Sequence, residues 1–287
     1  MRTVERPDAE EGRLDLATEE TRALVDVLAP RPVEQPFGVY VLTADEPCAA
    51  LARDVERRVF WEAFGNTTSL LDEEYGPYEQ ASSFICVVDH LRRCPAGMIR
   101  VVKASPAGFK TLHDLRRLWG VDSATALASG APDLDGDSTW DIATLAVGPD
   151  YRGAASKGLV SLALYQALST AGRWCDIEWM VAVLDVVVLE LLQTVLQRPF
   201  SFFCDVGPIP YLDSASSVPV WGDYRSWRQR LAATDPSSYE LLIEGRGLEA
   251  SVAPPDWAQA SSVLGSPVEP GEPVPAARHH GRLGTAR

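Results

Sequence analysis

The sequence predicts an α/β fold, a mixed central sheet with antiparallel N-terminal strands and a parallel central pair, flanked by helices. Three observations predict it. Residues 139–184 read as strand, basic glycine-containing turn, helix and strand, which is the pattern of two parallel strands joined by a crossover helix. Residues 83–88 and 98–103 read as two strands joined around Cys94-Pro95-Ala96-Gly97, an antiparallel hairpin. Residues 38–43 read as a short strand, followed over 45–64 by a long helix on which Leu51, Val55, Val59 and Ala63 recur at helical spacing.

Taken in order, residues 1–36 form an acidic arm with one amphipathic helix over 17–29, interrupted by Pro30 and Pro32. The organised domain spans 37–250. Residues 66–80 are polar and turn-rich, a helix is expected over 111–119, and a flexible loop delivers the chain to the central strand, 139–147. That strand stops at Gly148-Pro149. The crossover helix covers 159–168 and ends near Gly172, the next strand is 177–184, and an apolar helix over 185–197 is closed by Arg198-Pro199. A strand over 200–206, a loop over 207–217 and a short strand over 218–221 with Pro219 at an edge follow. Two helices, 223–233 and 236–244, complete the domain, the second with Asp235 as its N-cap. From 251 to 287 the chain holds six prolines and four glycines and few large apolar side chains, so a disordered tail is expected.

Composition narrows the function. A net charge of −14 argues against a nucleic-acid partner. No apolar run is long enough to span a membrane, and the acidic start is unlike a signal peptide, so a cytoplasmic location is expected. The acidity is uneven: Arg92, Arg93, Arg100, Lys103, Lys110, Arg116 and Arg117 face a single acid, Asp114, within 90–120. Such a stripe suits either an anionic partner or ordinary solvated faces. The five cysteines form no CxxC pair, the Cys86, His90, Cys94 trio has no common zinc spacing, and no metal is expected.

The chemistry concentrates in the turn after the central strand. Free N–H groups at a helix start, cations and glycines together suit a phosphate. The turn contains neither GxxxxGK[ST] nor GxGxxG, which removes P-loop and dinucleotide readings. Val147-Gly148-Pro149-Asp150-Tyr151-Arg152-Gly153 followed by a helix resembles instead the acyl-CoA-binding segment of the GNAT acyltransferases, with Ala155 and Lys157 standing where that family continues with glycine or alanine. The order of elements over about 37–222 is also similar. Within that superfamily the front half resembles the acyl-homoserine-lactone and N-acyl amino acid synthase branch, through Arg57-Arg58-Val59-Phe60, Glu74 to Glu79, Asp89 and Met98-Ile99-Arg100.

The resemblance implies an N-acyltransferase that uses acetyl-CoA or a longer acyl-CoA, or an acyl carrier protein, to acylate a small-molecule amine or amino-acid-like acceptor. It implies that the central parallel strands splay around the thioester. Leu145, Ala146 and Val147 would line the acyl arm, and Arg152, Gly153, Ala154, Ala155, Ser156, Lys157 and Gly158 would hold the pyrophosphate. Asp141 and Glu178 are the carboxylates available as a general base, one of them expected to face an open cleft beside Arg152; Asp141 alternates onto the same strand face as Ala143, Leu145 and Val147, where burial would raise its pKa. Arg100 and Trp140 are candidates for substrate contact, as is Asp185, which stands where the family often has Asn. The family's general-acid Tyr position reads Val195 here. The alternative is a non-catalytic module of the same shape that binds acyl-CoA or a protein partner.

Overall fold

A computed structural model describes residues 18–29, 33–122, 134, 136–153, 156–203 and 206–265. The elements are α1 (Glu19–Leu28), β1 (Phe37–Thr43), α2 (Ala49–Phe64), α3 (Thr68–Tyr75), β2 (Ser82–Asp89), β3 (Cys94–Val102), α4 (Lys110–Trp119) and β4 (Thr139–Val147). They continue as α5 (Leu159–Trp174), β5 (Trp179–Asp185), α6 (Val186–Val195), β6 (Ser201–Phe202), β7 (Ile209–Tyr211), β8 (Ser214–Asp223), α7 (Tyr224–Thr234), α8 (Pro236–Leu242), β9 (Val252–Ala253) and α9 (Trp257–Gly265).

The strands form one mixed sheet in the order β6-β8-β5-β4-β3-β2-β1-β9, with β7 added to β8. Pairs β4–β5 and β1–β9 are parallel; the others are antiparallel. Every residue of β2 and β3 is buried, which matches their near-continuous apolar sequence and their place mid-sheet. One face is covered by α2, whose Val55 and Val59 pack with Phe84, Cys86, Met98 and Ala146. The other is covered by α5, whose Val160, Ala163, Leu164 and Ala167 pack with Ile85, Ile99, Val101 and Trp140. Spacing of 3, 4 and 7 along α5 sets this stripe.

Several expectations need correction. Gly172 does not end α5, which runs on to Trp174; a Cβ there would lie 3.0 Å from the Tyr224 ring, so the glycine permits a close helix crossing. The region expected to be loop over 207–217 contains β7 and the start of β8. Pro219 lies in an interior strand opposite Val183, between the points where β7 and β6 attach to the other side of β8. The segment expected to be polar loop, 66–80, holds α3, whose Leu71 and Tyr75 are buried one turn apart.

The expectation of disorder from 251 onward fails for residues 251–265. β9 pairs with β1, and α9 packs on α5 and β1 with Ala260 and Leu264 buried. Lys103 Nζ donates to Val263 O at 2.6 Å. Proline content averaged over the whole segment hid the helical spacing of Trp257, Ala260 and Leu264. Residues 266–287 lie outside the described residues. The helix of the expected N-terminal arm is likewise part of the domain: Val25 of α1 is buried in the α2 layer. Among the described residues no helix is long and apolar enough to cross a membrane.

Candidate active site

The site is built by a fork in the sheet. β4 and β5 are paired only at Thr139–Trp179, Trp140–Met180 and Asp141–Val181. Beyond Asp141, β4 continues to Val147 along β3, while β5 continues to Asp185 along β8. The facing edges of 142–147 and 182–185 therefore carry backbone groups without a strand partner. Such groups need a partner from water or a ligand.

A bulge sits at the base of the fork. Val101 pairs with Ile142, and Arg100 pairs with Thr144, so Ala143 is the extra residue. The bulge reverses the alternation of β4. Asp141, expected on the same face as Leu145 and Val147, shares a face with Thr144 and Ala146; Leu145 and Val147 share the α5 face with Trp140 and Ile142.

At the open end of the fork lies the turn into α5. Gly153, Lys157 and Gly158 have φ of 56°, 52° and 73°, a left-handed set that glycine adopts freely and lysine does not. Gly158 stands at the N-cap of α5 and supplies no side-chain cap, while Leu159 N donates to Ser156 O at 3.0 Å. Arg152 and Lys157 are exposed there. Arg152 Nε donates to Val147 O at 2.8 Å, folding the guanidinium back over the end of β4. Ala154 and Ala155 lie outside the described residues.

The two carboxylates expected as bases are placed differently. Asp141 is fully buried and accepts from Thr111 N at 2.6 Å and Thr111 Oγ1 at 2.8 Å, so it caps the start of α4. Burial pushes its pKa up to about 6, against the opposing hydrogen bonds from Thr111 and the charge of Lys110. Glu178 precedes β5 at the closed end of the fork and pairs with Arg225, away from the turn. Both placements correct the expectation of a carboxylate facing an open cleft. Glu178→Gln should change stability by less than ~1 kcal/mol, because the pair is partly exposed, as measured by urea unfolding. Trp140 is also misplaced for substrate contact, being buried under α5. Asp185 caps α6 through Val187 N at 2.8 Å and accepts from Ser214 Oγ at 2.7 Å.

Arg100 does reach a cavity. About 270 Å³ is enclosed by Arg53, Glu56, Arg57, Leu71, Asp72, Tyr75, Gly76, Glu79 and Arg100, between α2, α3 and β3. Arg100 donates to Glu56 from Nε at 3.0 Å and Nη2 at 2.6 Å, and to Glu79 Oε2 at 2.6 Å. It also stacks over the rings of Tyr75 and Phe84. Burial works against ionisation of Glu79, but Arg100 and Arg53 outweigh it and hold its pKa below the usual range. Thr144 Oγ1 donates to Glu56 Oε1 at 2.7 Å and lies 3.1 Å from Tyr75 Oη, which is 3.3 Å from Ala143 O. Tyr75, which lines the cavity, thus reaches β4 at the bulge.

Sequence reasoning found Arg100 but not Glu56, Tyr75 or Thr144. A signal existed for Glu56: it falls on the core stripe of α2, with Ala52, Val55 and Val59, where an unpaired carboxylate would be costly. The basic stripe of 90–120 does not form one surface. Arg93 pairs with Asp26, Arg100 with Glu56 and Glu79, and Lys110 and Arg117 with Glu74 and Asp114.

No protein-family model matches the chain, and no curated protein matches it. Solved structures of similar fold include FeeM, an N-acyl amino acid synthase from uncultured soil microbes, at 14% identity and TM-score 0.49, covering 69% of this chain and 97% of that one. They include BjaI, a CoA-dependent acyl-homoserine lactone synthase, at 15% identity and TM-score 0.40, covering 79% and 99%. A third is an N-acetyltransferase, so described provisionally, from Lactobacillus plantarum, at 12% identity and TM-score 0.43, covering 66% and 98%.

Proposed function

We propose that the protein is an acyltransferase that moves an acyl group from an acyl-CoA thioester to the amine of an amino-acid-like acceptor. The observation that carries this reading is the fork: two parallel strands separate beyond Asp141, and the longer arm, β4, runs on to a left-handed, cation-bearing turn. The residues present fit an acyl-CoA. The free edge of β4 over 142–147 offers amide hydrogens to an extended amide-containing arm, as a neighbouring strand would. The uncapped start of α5, with Arg152 and Lys157, offers N–H groups and charge to a pyrophosphate.

The cavity fits the acceptor. Arg53, Arg57 and Arg100 balance Glu56, Asp72 and Glu79, so it favours a ligand that carries both charges over a simple anion or cation. An amino acid has that form. Binding donor and acceptor on the two sides of the β4 bulge brings amine and thioester together, which is the larger part of what a two-substrate acyl transfer requires.

The test is thermal unfolding with acetyl-CoA, decanoyl-CoA and free CoA, on the native chain and on an Arg152→Glu, Lys157→Glu variant. A donor at ~100 times its dissociation constant should add about 2.7 kcal/mol to the native chain. The variant should lose most of this. No shift with any CoA species would remove the reading.

A further inference from the structure

We propose that the hydroxyl of Tyr75 protonates the departing thiolate, and that Thr144 and Glu56 are positioning residues that aim it. The proposal rests on the acyltransferase reading and names the proton donor that the α6 position, Val195, does not supply.

The hydrogen-bond network dictates where the protons lie. Thr144 has one hydroxyl proton and two neighbours, Glu56 Oε1 at 2.7 Å and Tyr75 Oη at 3.1 Å. The charged acceptor takes it, because a hydrogen bond to a carboxylate is about twice as strong as a neutral one. Glu56 cannot turn away, since Arg100 holds both its oxygens. The proton of Tyr75 is left with two long, weak acceptors, Ala143 O at 3.3 Å and the oxygen of Thr144. A developing thiolate beside Ala143 would be a better one.

The location suits the step. Ala143 is the bulged residue just beyond the last pair of the fork, and Tyr75 also lines the cavity proposed for the acceptor. One side chain therefore links that cavity to the bulge. Burial and then the Glu56 carboxylate hold the Tyr75 pKa above its ordinary value, which keeps the proton in place at neutral pH. The balance is closed. The neutral amine adds to the thioester carbon; the C–S bond breaks with its electron pair on sulfur; Tyr75 gives its proton to sulfur; and the tyrosinate takes the surplus proton from the new ammonium nitrogen. Thioester and amine become amide and thiol, with no redox change.

Tyr75→Phe keeps the ring under Arg100 and removes only the hydroxyl. With acetyl-CoA or decanoyl-CoA and a mixture of the twenty proteinogenic amino acids, thiol release should fall on the order of 100-fold or more. Donor-induced thermal stabilisation should stay unchanged. Thr144→Val should also slow release, and Thr144→Ser should restore it. A second readout needs no turnover: the native chain should bind CoA several-fold more tightly than desulfo-CoA, and Tyr75→Phe should abolish that preference. Release by Tyr75→Phe at near the native rate, or a native chain that binds the two ligands equally, overturns the proposal. Failure of the native chain to bind any CoA species overturns the acyltransferase reading beneath it, a result distinct from the other two.

Discussion

Replacing Arg100 with leucine is expected to cost about 3–5 kcal/mol, a fall in unfolding temperature on the order of 10 °C. Arg100 and Glu56 are each 2% exposed, and the guanidinium is the only cation that bonds both Glu56 oxygens among the described residues. Its removal leaves a carboxylate in the sheet interior with one hydroxyl donor, Thr144. Glu79 suffers less, because Arg53 still reaches it. The double variant Arg100→Leu, Glu56→Leu should recover most of the loss, since apolar side chains of similar volume replace a buried ion pair at little net cost. Urea unfolding of the native chain and the two variants measures both effects. A single-variant cost below about 1 kcal/mol would mean that water reaches Glu56 and that the cavity is wetter than its burial implies.

The same contrast explains which parts of the molecule were legible in the sequence. The central unit was legible because its signals are local: an apolar run bounded by Gly148-Pro149 fixes β4, observed at the expected bounds, and a stripe with spacing 3 and 4 fixes α5. The face assignment of β4 failed because period-two reading assumes an unbroken ladder, and the bulge at Ala143 breaks it. The motif turn was legible as a set of residue types; whether it lies at the mouth of an opening depends on where β4 and β5 part, which no single strand encodes. α3 was missed because TSLLDEEY is short and half polar, and only contact with the sheet makes Leu71 and Tyr75 a core face. Arg100 was found by resemblance, but its partners come from α2 and the turn before β2, 44 and 21 residues away in the chain. Asp141 was identified as a carboxylate raised by burial, and its partner Thr111 was not, being 30 residues away.

That partner changes the consequence of the raised pKa, and pH makes the difference measurable. With a folded-state pKa of about 6 against 3.8 for the free carboxyl, folding favours the protonated form of Asp141. Its contribution to stability is full below pH 3.8 and is lost as pH rises through about 6, by about 3 kcal/mol at pH 8. Asp114 and Glu79 shift the other way and weaken the fold as acid is added, so the total curve mixes opposing slopes. The difference between the native chain and Asp141→Asn isolates the one group. The amide can still accept from Thr111 N, and it loses about 1 kcal/mol from the less favourable arrangement with Thr111 Oγ1. At pH 3.5 the variant should therefore be slightly less stable than the native chain, and at pH 8 it should be more stable by about 2 kcal/mol, as read by urea unfolding of both proteins. An equal difference at the two pH values would mean that the carboxyl ionises normally despite its burial. A cap for α4 also predicts that Asp141→Asn keeps its acyl-CoA-induced stabilisation and its rate of thiol release, whereas a general base at this position predicts that the rate is lost while binding remains.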